Sequence, residues 1–246
     1  MLRWLVVSTL LLSVAVHAET PPLLAEAVRK VVADEDHWAY TVIIQRFDKN
    51  GKTVGGPFVE RYDPSQPFHE QWVLLKYDGH APTESEASVW RRHRDHQMKQ
   101  KEEKSLGEVL DLDHATLASE SGASATFLVP IMPGLSKRFP ADQLEVFMNV
   151  DKAAQALISF SLQPRGPFRV VGVLKVESGE ADGRLEVVKP GFAPTFVWIK
   201  ATGVGHLFGL FKVGRGCEMT FGDFRRVKPY NDRFEVKIGD VKALNF

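Results

Sequence analysis

The sequence predicts an α+β protein: a strongly curved antiparallel sheet of about 10–11 strands, an unclosed β-barrel, covered by two or three helices. Three observations carry this. Period-two alternation of apolar and polar residues recurs along most of the chain, as in Phe234, Val236 and Ile238 against Arg233, Glu235 and Lys237. The connections between such runs are short and rich in Gly, Pro, Asn and Asp, so successive strands pair antiparallel. Helical period appears in few places, and an open sheet this long must curl and have its apolar face covered.

The elements follow in order. Leu24, Ala27, Val28 and Val31 recur at helical spacing behind Pro21 and Pro22, which predicts a helix over Leu23 to Asp34. At Trp38 the period changes to two, with Trp38, Tyr40, Val42 and Ile44 on one row. Lys49-Asn50-Gly51-Lys52 is a hairpin turn, because Asn-Gly supplies the positive φ values of a tight connection. The return strand, Thr53 to Tyr62, is interrupted by Gly55, Gly56 and Pro57, and His69 to Tyr77, with Trp72 and Leu74, is the third strand. A highly charged segment over about 83–104 reads as a helix capped by Thr83 or Ser85, with Glu84 and Glu86 in its first turn. Its apolar residues are Ala87, Val89, Trp90 and Met98, too few for a central position, so it is placed at the surface or as a lid.

Leu106 to Leu117 has no clear period. Strands are expected at Ala115 to Glu120, Ala125 to Ile131, Leu144 to Val150, Leu157 to Gln163, Phe168 to Glu177 and Arg184 to Val188, the last two separated by a Gly-rich acidic turn, Ser178 to Gly183. Phe196 to Ile199 reads as a more completely buried strand. Between Ala201 and Gly216, five glycines interrupt Leu207, Phe208, Leu210, Phe211 and Val213, which fits a bending strand pair or a flap better than a helix.

The first residues bear on compartment. Arg3, an apolar run from Trp4 to Val16 and the small residues Val16 and Ala18 form the pattern of a signal peptide, residues 1–18, leaving a single domain over 19–246 in the periplasm. Loss of Arg3 from 31 basic and 31 acidic residues leaves a net charge near minus one, which argues against nucleic acid. Cys217 is the single cysteine, so no internal disulfide is expected.

No catalytic motif stands out, and the chain is expected not to be an enzyme and to carry no cofactor or metal. His93 and His96 are three apart on the charged helix but lack further ligands at recognisable spacing. Gly203-Val204-Gly205 does not complete a dinucleotide fingerprint, Gly-x-Ser-x-Gly is absent, and His206 has no Ser or Cys beside it. Cys217 reads as a small residue packed beside Met219 and Phe221.

A curved sheet closed by helices leaves a space between its layers. Trp38, Tyr40, Trp72, Phe127, Phe160 and Trp198 would line it or fill it, and with Val42, Leu74, Phe208 and Phe211 they are the candidate contacts of an apolar ligand. The export signal, the N-terminal helix, the aromatic first strand Trp38-Ala39-Tyr40-Thr41-Val42, the helical segment after the third strand and the closing runs Phe221 to Val227 and Arg233 to Ile238 together resemble the bacterial lipoprotein-carrier family, the outer-membrane lipoprotein-sorting (LolA-like) proteins. The resemblance implies an unclosed barrel that holds lipid acyl chains under a helical lid, with a lipid or lipidated protein as partner and an inner- or outer-membrane protein as a further one. It also implies an arginine near the first strand that latches the lid, and Arg46 is the residue at that place. The long charged helix departs from the family pattern. An envelope stress-sensor module on the same fold is the alternative, and an enzyme with residues gathered from distant strands is the third reading.

Overall fold

In the computed structural model of the protein, the described residues are 20–34, 37–100, 106–134, 141–170, 174–207 and 211–233. The expected signal peptide, the strand around Phe234 to Ile238, Phe208 and the last residues of the charged helix lie outside them. The strands are β1 Trp38–Asp48, β2 Phe58–Tyr62, β3 Trp72–Lys76, β4 Thr116–Glu120, β5 Ser124–Val129, β6 Leu144–Asp151, β7 Ala156–Pro164, β8 Phe168–Val170, β9 Leu174–Glu186, β10 Thr195–Leu207 and β11 Phe211–Arg226. The helices are α1 Pro22–Asp34, α2 Glu84–Gln100 and α3 Leu106–Val109. All strand pairs are antiparallel and join one curved, unclosed sheet in the order β3-β2-β1-β11-β10-β9-β7-β6-β5-β4, with β8 beside β9. This is the predicted architecture.

One face of the sheet carries the helices. Alternation on β5 and β6 buries Ala125, Phe127, Val129, Val146, Met148 and Val150, and Leu24, Ala27, Val28 and Val31 of α1 close over them. Each such aliphatic side chain, fully buried, contributes about 1.5–3 kcal/mol, so this end of the sheet is held by dry packing. The C-terminus of α1 is tied to the sheet by charge: Asp34 accepts from the Trp38 indole at 3.3 Å and pairs with Arg226 at 2.5 Å.

α2 is capped as its sequence predicts. The Thr83 backbone N–H donates to the Glu86 carboxylate at 2.8 Å, and the Glu86 N–H donates back to the Thr83 hydroxyl at 3.3 Å.

The structure corrects one expectation in the glycine-rich strands and bears out another. Ser178 to Gly183 is not a turn but the middle of β9, whose first residues pair with β8 and whose later ones pair with β7. Gly183 is required by a close approach, since a Cβ there would stand 1.9 Å from Cε1 of Phe160. The glycine-interrupted stretch forms the expected strand pair, β10 with β11; β11 runs on through Gly216, Cys217 and Phe221 and has its irregularity at Asp223, φ 52°, where it bulges opposite Ala39 and Thr41. That extra residue brings Phe221 and Phe224, three apart, to the same ring, Tyr40.

Candidate functional site

Residues directly opposite one another in a ladder share a face, so the registers can be followed across the sheet. One row on the helix-bearing face runs Phe58, Ile44, Met219, Ile199, Gly183, Phe160, Met148, Phe127. It crosses eight strands, roughly 34 Å at the usual strand spacing. The next row is Arg46, Cys217, Ala201, Ala181, Leu162, Val146, Val129. Apart from Arg46 at its end, the two rows are apolar throughout.

Their burial is uneven. Phe127, Val129, Val146 and Met148 are buried under α1, whereas Ile44, Met219, Ile199, Cys217, Ala201, Ala181 and Leu162 are half-buried. The middle of the sheet therefore offers a partly open apolar strip made largely of small side chains. At the Arg46 end it meets a depression of about 630 Å³, lined among others by Arg46, Asp48, Val54, Ala201, Arg215 and Cys217 together with the Gly214 and Gly216 backbone.

The other end of the helix-bearing face is aromatic. Tyr40 packs against Tyr62 at 5.2 Å, Phe221 at 5.4 Å and Trp72 at 6.2 Å, and Tyr62 packs on Trp72 at 4.8 Å. α2 lies over this cluster and is fastened by polar contacts. Glu60 on β2 is only 5% exposed; it accepts from the Trp90 indole at 2.7 Å and from the Arg94 guanidinium. The Arg94 guanidinium also stacks 4.0 Å from the Trp72 ring centre. Burial pushes its pKa down, with Tyr40 acting the other way, yet an arginine stays charged and so needs Glu60 as its counter-ion.

Glu60, Trp90 and Arg94 are not among the candidate site residues read from the sequence, where Trp90 figures only as one of the few apolar residues of the charged helix. The available signal was the four-residue spacing of Trp90 and Arg94, which puts both on one side of a helix poor in apolar residues.

Of the sequence candidates, Tyr40, Val42, Trp72 and Leu74 come together beneath α2, and Phe127 and Phe160 lie in the long row toward α1. Trp38 is 2% exposed and packs on Phe192 and Phe224, with the Arg226 guanidinium 5.2 Å from its ring centre. Trp198 lies on the opposite, helix-free face, in the row Thr126, Asn149, Ser159, Arg184, Trp198. It bonds Glu218 at 2.9 Å and borders a depression of about 400 Å³ lined by Phe147, Phe160 and several Ser, Thr and Asn side chains. Phe211 opens β11 opposite Leu207.

Arg46 contacts Asp78 at 3.3 Å and the Phe58 ring at 4.4 Å, so among the described residues its contacts go to the loop after β3 and to β2. The charged contacts between α2 and the sheet are instead made by Arg94 on the helix to Glu60 on the strand.

Among the described residues no group of three or more His, Cys, Asp or Glu is placed to hold a metal ion. His206 pairs with Glu177 at 3.1 Å. No described helix is long and apolar enough to cross a membrane.

Among solved structures, the chain is similar to a LolA superfamily protein of Nitrosomonas europaea, at 11% identity over 89% of this chain and 98% of that one, with a TM-score of 0.38. It is also similar to a DUF1329 family protein of Desulfovibrio piger, at 11% identity over 83% of this chain and 91% of that one, again with a TM-score of 0.38. No protein-family model matches the sequence, and comparison with curated proteins gives no match. At so loose a superposition the unclosed sheet is established by its own strand order, and no residue role is carried over.

Proposed function

We propose that this protein is an exported, non-enzymatic carrier that holds an apolar chain, from a lipid or a lipidated protein, on the helix-bearing face of its sheet. The observation that supports the reading is the half-buried middle of the two apolar rows, where Ile44, Met219, Ile199 and Ala201 have no α1 over them and lie among apolar side chains, with Arg46 and Arg215 at one edge. A sheet that used this face only for its own core would bury these side chains as it buries Met148 and Val129. Long acyl chains match the strip in shape and chemistry, because they satisfy an apolar floor over many strands without needing hydrogen bonds. The export pattern in residues 1–18 supports a site of action in the periplasm.

The test is extraction of the purified protein into organic solvent followed by mass spectrometry, paired with titration of the emptied protein by dodecanoate. Co-purifying lipid, and binding that is lost in Met219→Glu while thermal unfolding stays cooperative, are the expected results. Absence of both lipid and dodecanoate binding overturns the reading, as does binding that Met219→Glu and Ile199→Glu leave intact.

A further inference from the structure

The depression beside Arg46 lies where the second apolar row reaches the end of the sheet, and its rim is basic. Arg215 stands two residues before Cys217 on β11, so the two share a face; it is exposed and forms no ion pair among the described residues. Lys49 and Lys52 belong to the turn that follows β1, next to Asp48, which faces Arg215 across the ladder. Two carboxylates are near, and both are engaged. Asp48 accepts the backbone N–H groups of Asn50 at 2.8 Å and Lys52 at 2.9 Å, which closes the turn. Asp78 accepts the Gly56 N–H at 2.8 Å and meets Arg46 through one contact of 3.3 Å. Four cations thus surround two ionised carboxylates, each held to the backbone through its Oδ1, and the charge balance of the rim is positive. Arg46 is held in place by the Phe58 ring, with most of its five donors unspent.

We propose, resting on the carrier reading above, that the ligand is an anionic amphiphile: its carboxylate or phosphate docks between Arg46 and Arg215, and its chain runs along Cys217, Ala201 and Ala181. A planar guanidinium meets either group with paired hydrogen bonds, so the two head-group chemistries share one site. Lys49 and Lys52 raise the local potential without direct contact, and that part of the attraction weakens with salt.

Titration of the full-length protein below micelle-forming concentrations tests this, using dodecanoate, dodecyl phosphate, dodecyl maltoside and dodecyltrimethylammonium as probes. Both anions are expected to bind about tenfold more tightly than the maltoside, with the cation weakest. Arg215→Glu is expected to remove that gap between anion and maltoside, and Arg215→Lys to restore part of it. Preference for dodecanoate alone assigns a carboxylate, and preference for the phosphate alone assigns a phosphate ester.

Equal binding of anion and maltoside overturns the head-group assignment and leaves the carrier reading standing. Failure of every probe overturns both. An anion preference that survives both Arg215→Glu and Arg46→Gln shows that the head group sits elsewhere. Association only with vesicles of anionic phospholipid, and not with the monomeric probes, makes the basic rim a membrane contact and overturns the proposal.

Discussion

Removing the Glu60 carboxylate isolates what holds α2 on the sheet. In Glu60→Ala the Arg94 guanidinium loses its counter-ion and the Trp90 indole its acceptor. A buried charge left without its partner costs about 3–5 kcal/mol. The Arg94 side chain is 23% exposed and can turn toward water, which places the expected cost at the lower end, about 3 kcal/mol including the indole. α2 has few apolar residues to resist release, so the loss should appear as local opening rather than global unfolding. Native-state hydrogen exchange reads this directly. Protection of the α2 amides is expected to fall by roughly a hundredfold, while that of β6 and β7 stays near wild type, and Glu60→Gln, which keeps an acceptor for the indole, should fall between. Unchanged protection in α2, or an equal loss in β6 and β7, refutes the idea that Glu60 is the fastening point.

Gly183→Ala puts a Cβ where the Phe160 ring lies, at 1.9 Å before relaxation, and should destabilise by about 1–3 kcal/mol as the ring is pushed along the apolar row; chemical denaturation measures the cost, and dodecanoate titration shows whether the strip is obstructed. Acid should loosen the start of α2. The Thr83 backbone N–H, then its hydroxyl, hold the Glu86 carboxyl below its ordinary pKa, so the cap is fully present above the usual carboxylate range and is lost as pH falls through the lowered value. Exchange of the first-turn amides against pH should show that loss in wild type and a flatter profile in Glu86→Gln.

Much of the fold was legible because local period and burial agree. α1, the Asn50-Gly51 hairpin and the β6 alternation each state their structure within a few residues. What could not be read depends on single-residue irregularities. Between Phe196 and Trp198 the register of β10 against β9 shifts by one, so Phe196 packs with Phe160 toward the core while Trp198 faces the other way beside Arg184. Counting by twos puts both on one face, and a bulge reverses that for every residue beyond it. Gly179 and Gly183 read as turn residues because glycine is commonest there; their actual cause is a carbonyl and a ring brought close from neighbouring strands, which only the pairing reveals. The Glu60 to Arg94 contact spans 34 residues and exists only once α2 has folded back. No local pattern encodes it.

The two ends of the helix-bearing face differ in kind, and this sets a route. Releasing α1 exposes Leu24, Ala27, Val28 and Val31 along with the β5 to β7 core, at a cost close to global unfolding, whereas releasing α2 breaks one polar cluster and a guanidinium stack. A chain reaching the Met219 and Ile199 section should therefore enter from the α2 side, and its association rate should scale with how often α2 is open. Stopped-flow association of dodecanoate is expected to quicken in Glu60→Ala. In Val28→Ala, which removes buried methyl groups from under α1 and lowers global stability by about 1–3 kcal/mol, the rate should match wild type. The reverse pattern, or equal acceleration in both, would mean that the sheet opens as a unit and that the contrast between its dry and polar ends has no kinetic consequence.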